Sequence, residues 1–83
     1  MTDWFVYMLR CVDGSLYTGI TKDVNRRIHE HNHENKLAAA YTRSRRPVKL
    51  VYQEKCKNRS QASAREAAIR KMNKDEKEAL IKN

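Results

Sequence analysis

Trp4-Phe5-Val6-Tyr7-Met8-Leu9, followed by Arg10-Cys11-Val12-Asp13-Gly14-Ser15 and then Leu16-Tyr17-Thr18-Gly19-Ile20, is the stretch on which the fold turns. Its opening is an unbroken run of large apolar and aromatic side chains closed by an arginine and an Asp-Gly step, the pattern of a buried strand entering a tight turn. An Asp-Gly pair supplies the positive φ angles that a short hairpin connection needs. Leu16 to Ile20 is therefore expected to fold back as the partner strand, which places Tyr7 and Tyr17 on neighbouring strands. Which face each tyrosine takes depends on a register that the residues leave open.

Downstream, Asp23 is a good N-cap, and Val24, Ile28 and His31 recur at helical spacing, so a helix from about residue 24 to about residue 33 is predicted. Asn32 to Pro47 is polar and basic and reads as a surface loop with a helical turn at Leu37 to Ala40. Val48 to Glu54 alternates, with Val48, Leu50 and Tyr52 on one side and Lys49, Val51 and Gln53 on the other, which predicts a third strand. Ser60 is expected to cap a helix running to about Met72, with Ala64, Ala67, Ala68 and Ile69 as a small-residue face against the sheet. Asn73 and Glu76 have the spacing of a capping box, opening a last helix that carries Leu80 and Ile81. The order β-β-α-β-α-α gives an α+β fold in which a three-stranded, mostly antiparallel sheet is flanked by helices. It is expected to occupy residues 1–83 as one domain.

A chain of 83 residues buries a smaller share of its surface than a larger domain does. Its 18 Lys and Arg against 10 Asp and Glu give a net charge of +8. Such a balance favours a polyanionic partner, because each cation placed on a phosphate releases condensed counterions. No apolar run approaches the roughly 20 residues of a spanning helix, so no membrane role is expected. The start Met1-Thr2-Asp3 lacks the basic region and apolar core of a secretory signal, and the expectation is a cytoplasmic protein. Cys11 and Cys56 are far apart, without the spacing of a zinc site or a disulfide scaffold.

The segments Phe5-Val6-Tyr7 and Tyr17-Thr18-Gly19, with Arg26-Arg27 in the next helix, resemble the signature of the GIY-YIG nucleases. The specific part is the spacing within Tyr17-Thr18-Gly19-Ile20-Thr21-Lys22-Asp23-Val24-Asn25-Arg26-Arg27, and the likeness in element order covers nearly the whole chain. Tyr41-Thr42-Arg43-Ser44-Arg45-Arg46 is similar to the matching segment of the small stand-alone bacterial members, the UPF0213 type. Two positions depart from the family pattern: the first motif has no glycine, and the later asparagine falls on neither Asn73 nor Asn83, Lys77 or Glu78 standing between them.

Phosphodiester hydrolysis needs a base for water, a cation for the phosphate oxygens and support for the leaving oxygen. The resemblance implies Tyr7 as general base, Tyr17 and Arg27 on the scissile phosphate, His31 assisting proton transfer, and Glu66 holding a single Mg²⁺ or Mn²⁺. Helical geometry separately favours Arg27, which lies beside Val24 and Ile28 and one turn before His31. Arg26, four residues before Glu30, reads as half of an exposed ion pair. Glu66 also has a plain structural reading, pairing with Arg70 at i+4. A free tyrosine ionises near pH 10, so a Tyr7 base calls for neighbours such as Arg27, Lys22 or a metal-bound water that favour the phenolate. His29 and His33 share a helical face without a third ligand and read as solvent-exposed.

What the resemblance implies for the whole is a metal-dependent DNA endonuclease, with repair or recombination as its setting. Lys22, Tyr41, Arg43, Arg45 and Arg46 are the expected nucleic-acid contacts, since an aromatic ring beside guanidiniums can stack a base while the cations clamp phosphates. A protein partner could supply specificity. The alternative is a non-catalytic nucleic-acid-binding module that keeps the fold.

Overall fold

The computed structural model describes residues 3–82. Strands β1 (Trp4–Arg10), β2 (Leu16–Thr21) and β3 (Lys49–Cys56) form one sheet in the order β2-β1-β3, antiparallel at both pairings. Helix α1 (Val24–His33) and a single turn, α2 (Ala40–Arg43), precede β3, and α3 (Arg59–Arg70) and α4 (Lys74–Lys82) follow it. Among the described residues no helix is long and apolar enough to cross a membrane.

The hairpin forms, but through a five-residue connection, Cys11 to Ser15, in which Gly14 alone of the Asp-Gly pair takes a positive φ. Gly14 has φ 84°, the left-handed conformation that glycine adopts without penalty, while Asp13 Oδ1 accepts from Ser15 N at 3.0 Å and from Ser15 Oγ at 2.6 Å. The register opposes Tyr7 to Gly19 and Leu9 to Tyr17. Because side chains alternate along a strand, both tyrosines stand on the same face of the sheet.

The other face carries the larger apolar cluster, with Thr18 opposite Met8 and Glu54 opposite Val6 as its polar members. Val6, Met8 and Cys56 pack there on Ala62 and Ile69 of α3, joined by Trp4, Ile20, Val51, Tyr52, Met72, Leu80 and Ile81. On the tyrosine face Tyr7, Leu9, Cys11 and Val48 cluster with Tyr17, Leu50 and Ile28 of α1.

Several sequence expectations move. The β1–β3 register shifts between Met8 and Leu9, so Leu50 pairs with Leu9 and Tyr52 with Met8. One extra residue on β3 breaks the simple alternation, and Leu50 and Tyr52 fall on opposite faces instead of one. Helix α3 is capped by Asn58, whose Oδ1 accepts from Gln61 N at 2.8 Å, and not by Ser60; it ends at Arg70. It docks through Ala62 and Ile69, two turns apart, with Glu66 half-buried between them. Ala64, Ala67 and Ala68 are exposed, because the larger Ile69 side chain, not the alanines, sets which side is drawn to the sheet. The helical turn sits at Ala40–Arg43, later than expected, where it buries Thr42. Two caps stand as predicted. Asp23 Oδ1 accepts from Arg26 N at 3.1 Å, and Asn73 and Glu76 exchange bonds of 2.8 and 2.9 Å between each side chain and the other's backbone N–H.

Candidate active site

Tyr7 points from the central strand into the cover formed by α1 and is 1% exposed. Across the register, Gly19 has to be glycine: a Cβ there would lie 2.5 Å from the Tyr7 hydroxyl oxygen. The space left by the missing side chain is where the phenol end sits.

Helix α1 brings His31 over that hydroxyl. Tyr7 Oη lies 2.8 Å from His31 Nε2, and His31 Nδ1 lies 2.7 Å from Thr42 Oγ1. Thr42 Oγ1 in turn donates to the Ala39 carbonyl at 3.0 Å. That donation uses the only hydroxyl hydrogen, so Thr42 accepts from Nδ1–H, and Nε2 is left as the acceptor for the Tyr7 O–H. The direction of the chain is thereby set from Ala39 back to Tyr7. His31 and Thr42 are both fully buried, and each polar atom of the chain has a partner, as buried polar groups require.

Electrostatics keep both ends neutral. Burial, reinforced by neighbouring Tyr17, pushes the Tyr7 phenol up to about 12 against the downward pull of Arg27. Burial, with the positive charge of Arg27, lowers His31 to about 4. The expected help toward a phenolate is therefore outweighed: the cost of burying the charged form exceeds the attraction of Arg27. Lys22 lies elsewhere, its Nζ 5.4 Å from the centre of the Trp4 ring. Tyr7 is a phenol whose proton is already directed at an unprotonated imidazole nitrogen.

Around this core stand the remaining candidates. Tyr17 is half-exposed, with its ring 6.4 Å from that of Tyr7 and edge-on to His31 at 5.2 Å. Arg27 Nη1 donates to Glu30 at 2.9 Å and to the Leu37 carbonyl at 2.7 Å. Arg26 has its side chain 75% exposed and pairs with the other oxygen of Glu30 at 3.2 Å, the role that helical spacing assigns it.

Glu66 stands on α3, on the opposite side of the sheet from α1 and its Arg27. Helix α3 packs on the apolar face, close to β2, which is an edge strand. Arg70 Nη2 bridges Glu66 Oε2 at 3.0 Å and the Thr18 carbonyl at 3.2 Å. The i, i+4 pairing is thus present, and the negative charge of Glu66 is still felt at Tyr7, where it raises the phenol. Among the described residues no three His, Cys, Asp or Glu gather as a metal cage. A lone half-buried carboxylate suits a divalent ion of the Mg²⁺ kind, which keeps most of its waters and takes its other ligands from substrate phosphate. In this structure Arg70 holds that carboxylate, so Glu66 would be the one protein ligand of such an ion only with Arg70 displaced.

The basic segment after α2 is a buttress rather than a free loop. Tyr41 stacks on Tyr17 at 6.0 Å, and the Arg45 guanidinium covers the Tyr41 ring at 3.9 Å while its Nε binds Asp13 at 3.1 Å. Arg46 turns inward to the His31 carbonyl at 2.7 Å and to Asn35 Oδ1 at 2.9 Å, and its Nη2 is buried without a partner among the described residues. Of the expected contacts in this run, Tyr41 and Arg43 are exposed, the Arg43 side chain bonded to the Asn35 carbonyl at 3.0 Å. Sequence reasoning missed Thr42, Gly19 and Asn32. Asn32 clips the start of β3 to α1 by bonding Val48 N and O at 2.8 and 3.0 Å. Thr42, a threonine in the short turn Ala40-Tyr41-Thr42-Arg43, carries no local signal of its buried role.

Residues 3–79 match the family model described as the GIY-YIG catalytic domain, and the chain belongs to that nuclease family, as a member of the UPF0213 type. It is 57% identical over 79 residues to the UPF0213 protein DP2720 of Desulfotalea psychrophila, covering 95% of this chain and 71% of that one. It is 49% identical over 82 residues to a UPF0213 protein of Staphylococcus aureus, covering 99% and 98%. Solution NMR structures of the UPF0213 protein BH0048 from Bacillus halodurans and of EF2693 from E. faecalis are similar, at TM-scores of 0.61 and 0.64 and identities of 38% and 40%. Each match covers 96% of this chain, and 83% and 84% of those chains respectively.

Proposed function

We propose that this protein is a metal-dependent endonuclease that hydrolyses phosphodiester bonds of DNA, in repair or recombination. The observation that carries this reading is the buried chain Tyr7–His31–Thr42, directed so that the Tyr7 proton has a waiting acceptor. Tyr7 takes a proton from the attacking water as it gives its own to His31 Nε2, so no phenolate has to form in advance. The imidazolium so formed, which burial and Arg27 disfavour, keeps its Nδ1–H on Thr42 and passes the proton back through Tyr7 once the bond to the leaving oxygen has broken. The hydroxide attacks phosphorus and the bond to the leaving oxygen breaks. Tyr17 and Arg27 hold the phosphate, and the Arg27 guanidinium offsets the charge that gathers on its oxygens. Glu66 would hold Mg²⁺ or Mn²⁺, which when bound supports the leaving oxygen as a Lewis acid.

The test is incubation of the purified protein with branched and single-stranded DNA plus Mg²⁺ or Mn²⁺. Cleavage is expected, with losses of about 10²-fold or more for Arg27→Ala and for Glu66→Ala. Cutting that survives both substitutions would assign the activity to something else. The second reading, a binding module without turnover, is favoured by the Arg70 guanidinium on Glu66. It predicts salt-sensitive DNA binding and no cleavage with either metal.

A further inference from the structure

Beside the open edge of β2 stand Arg70, which also holds Glu66, and two lysines that the site described above does not use. Arg70 reaches the Thr18 carbonyl at 3.2 Å, and Lys74 Nζ reaches the Gly14 carbonyl at 3.4 Å. Lys77 and Lys74 line, with Ser15 and Leu16, a cleft of about 170 Å³ between the hairpin and α4. The row runs from the turn at Gly14 to Thr18 in the strand that carries Tyr17. Leu16 to Thr18 alone spans about 7 Å of strand, more than the axial spacing between successive phosphates of a strand.

Among the described residues neither lysine forms an ion pair. Glu78, four residues after Lys74, is held by two bonds to Arg10 at 2.6 and 2.7 Å, and the charge of Lys74 adds only a lesser share to holding that carboxyl below its usual range. Asp13 at the hairpin is held by Arg45, and Glu76 is engaged in the cap of α4. Lys74 and Lys77 also stand in the opening turn of α4, where the helix dipole disfavours cations. Two cations beside a cleft, neither held in an ion pair among the described residues and both where the helix dipole disfavours them, are available to an anionic partner.

We propose that the β2 edge is a backbone-binding track for nucleic acid, in which Lys74 and Lys77 seat phosphates next to the one at Tyr17. This rests on the nuclease reading for its polarity toward Tyr17, but its test does not need cleavage. An acidic peptide is the competing occupant. It is disfavoured because the track runs into an aromatic surface, Tyr17 stacked on Tyr41, suited to a base.

Fluorescence anisotropy of labelled single-stranded DNA, without divalent metal and across a salt series, decides the matter. The wild-type protein is compared with Lys74→Ala/Lys77→Ala and with the charge-matched Lys55→Ala/Lys57→Ala at the far end of β3. The first pair should weaken binding about tenfold at low salt and reduce the slope of log affinity against log salt by about 1.4, two single-strand phosphates' worth. The control pair should change affinity less than about twofold. Equal losses for both pairs, unchanged binding for the first, or no wild-type binding would overturn the proposal. So would poly-glutamate binding as tightly as DNA with the same dependence on Lys74 and Lys77. A protein that binds through this edge but never cuts removes the nuclease reading alone, and one that cuts yet ignores both lysines removes the track alone.

Discussion

The two faces of the sheet are built from alternate residues of the same strands, yet they are made of different material. Val6, Met8, Cys56, Ala62 and Ile69 close one face with no polar side chain among them. On the other, Tyr7, His31 and Thr42 are as deeply buried, but their polar atoms form a directed chain. An apolar filling of similar shape would be at least as stable, because a net hydrogen bond contributes only about 1 kcal/mol against the cost of desolvating its groups. The larger apolar cluster lies on one face, and the polar chain on the other is what the proposed function draws on.

That division predicts where substitutions will register. Ile69→Ala should cost about 2–5 kcal/mol in a urea melt, by opening a cavity under α3, while leaving the proton chain of the folded molecules in place. A smaller loss would mean that the apolar face carries less of the fold than its burial indicates. Acid should act on the polar face instead. His31 is lowered from 6.5 to about 4 in the folded protein. From pH 6.5 down to about 4 the unfolded chain takes up a proton that the folded one refuses, so stability falls with pH across that window and is fully present above it. The loss by pH 4.5 is roughly 2–3 kcal/mol. Urea melts of the wild type and His31→Gln at pH 7 and 4.5 check it, and an equal acid loss in both proteins would place its source elsewhere. Arg10→Ala, which breaks an ion pair with Glu78 that is about a third exposed at each end, belongs to neither core. It should cost no more than about 1 kcal/mol, and a larger effect would make the α4 contact part of the core.

The hairpin, α1 and the α4 cap were legible because each rests on a local signal: Asp13-Gly14 for the turn, Asp23 and Asn73 with Glu76 for the helix starts. The shared face of Tyr7 and Tyr17 depends on register, which no local signal carries. The same is true of the extra residue in β3 and of which side of α3 meets the sheet, both settled by packing across elements. Arg27 and His31 could be separated from Arg26 by helical spacing alone. Thr42 could not be found that way, since its role exists only once α2 is folded against α1. The inward turn of Arg46 and the rise of Tyr7 to about 12 likewise follow from burial.

Tyr7→Phe removes one oxygen from the polar face and leaves the ring that packs there. Single-turnover cleavage of labelled branched DNA with Mn²⁺, beside circular dichroism to confirm folding, should show a loss of about 10²- to 10⁴-fold for this variant. Cleavage by folded Tyr7→Phe at the wild-type rate would contradict the assignment of Tyr7 and His31 as the proton relay.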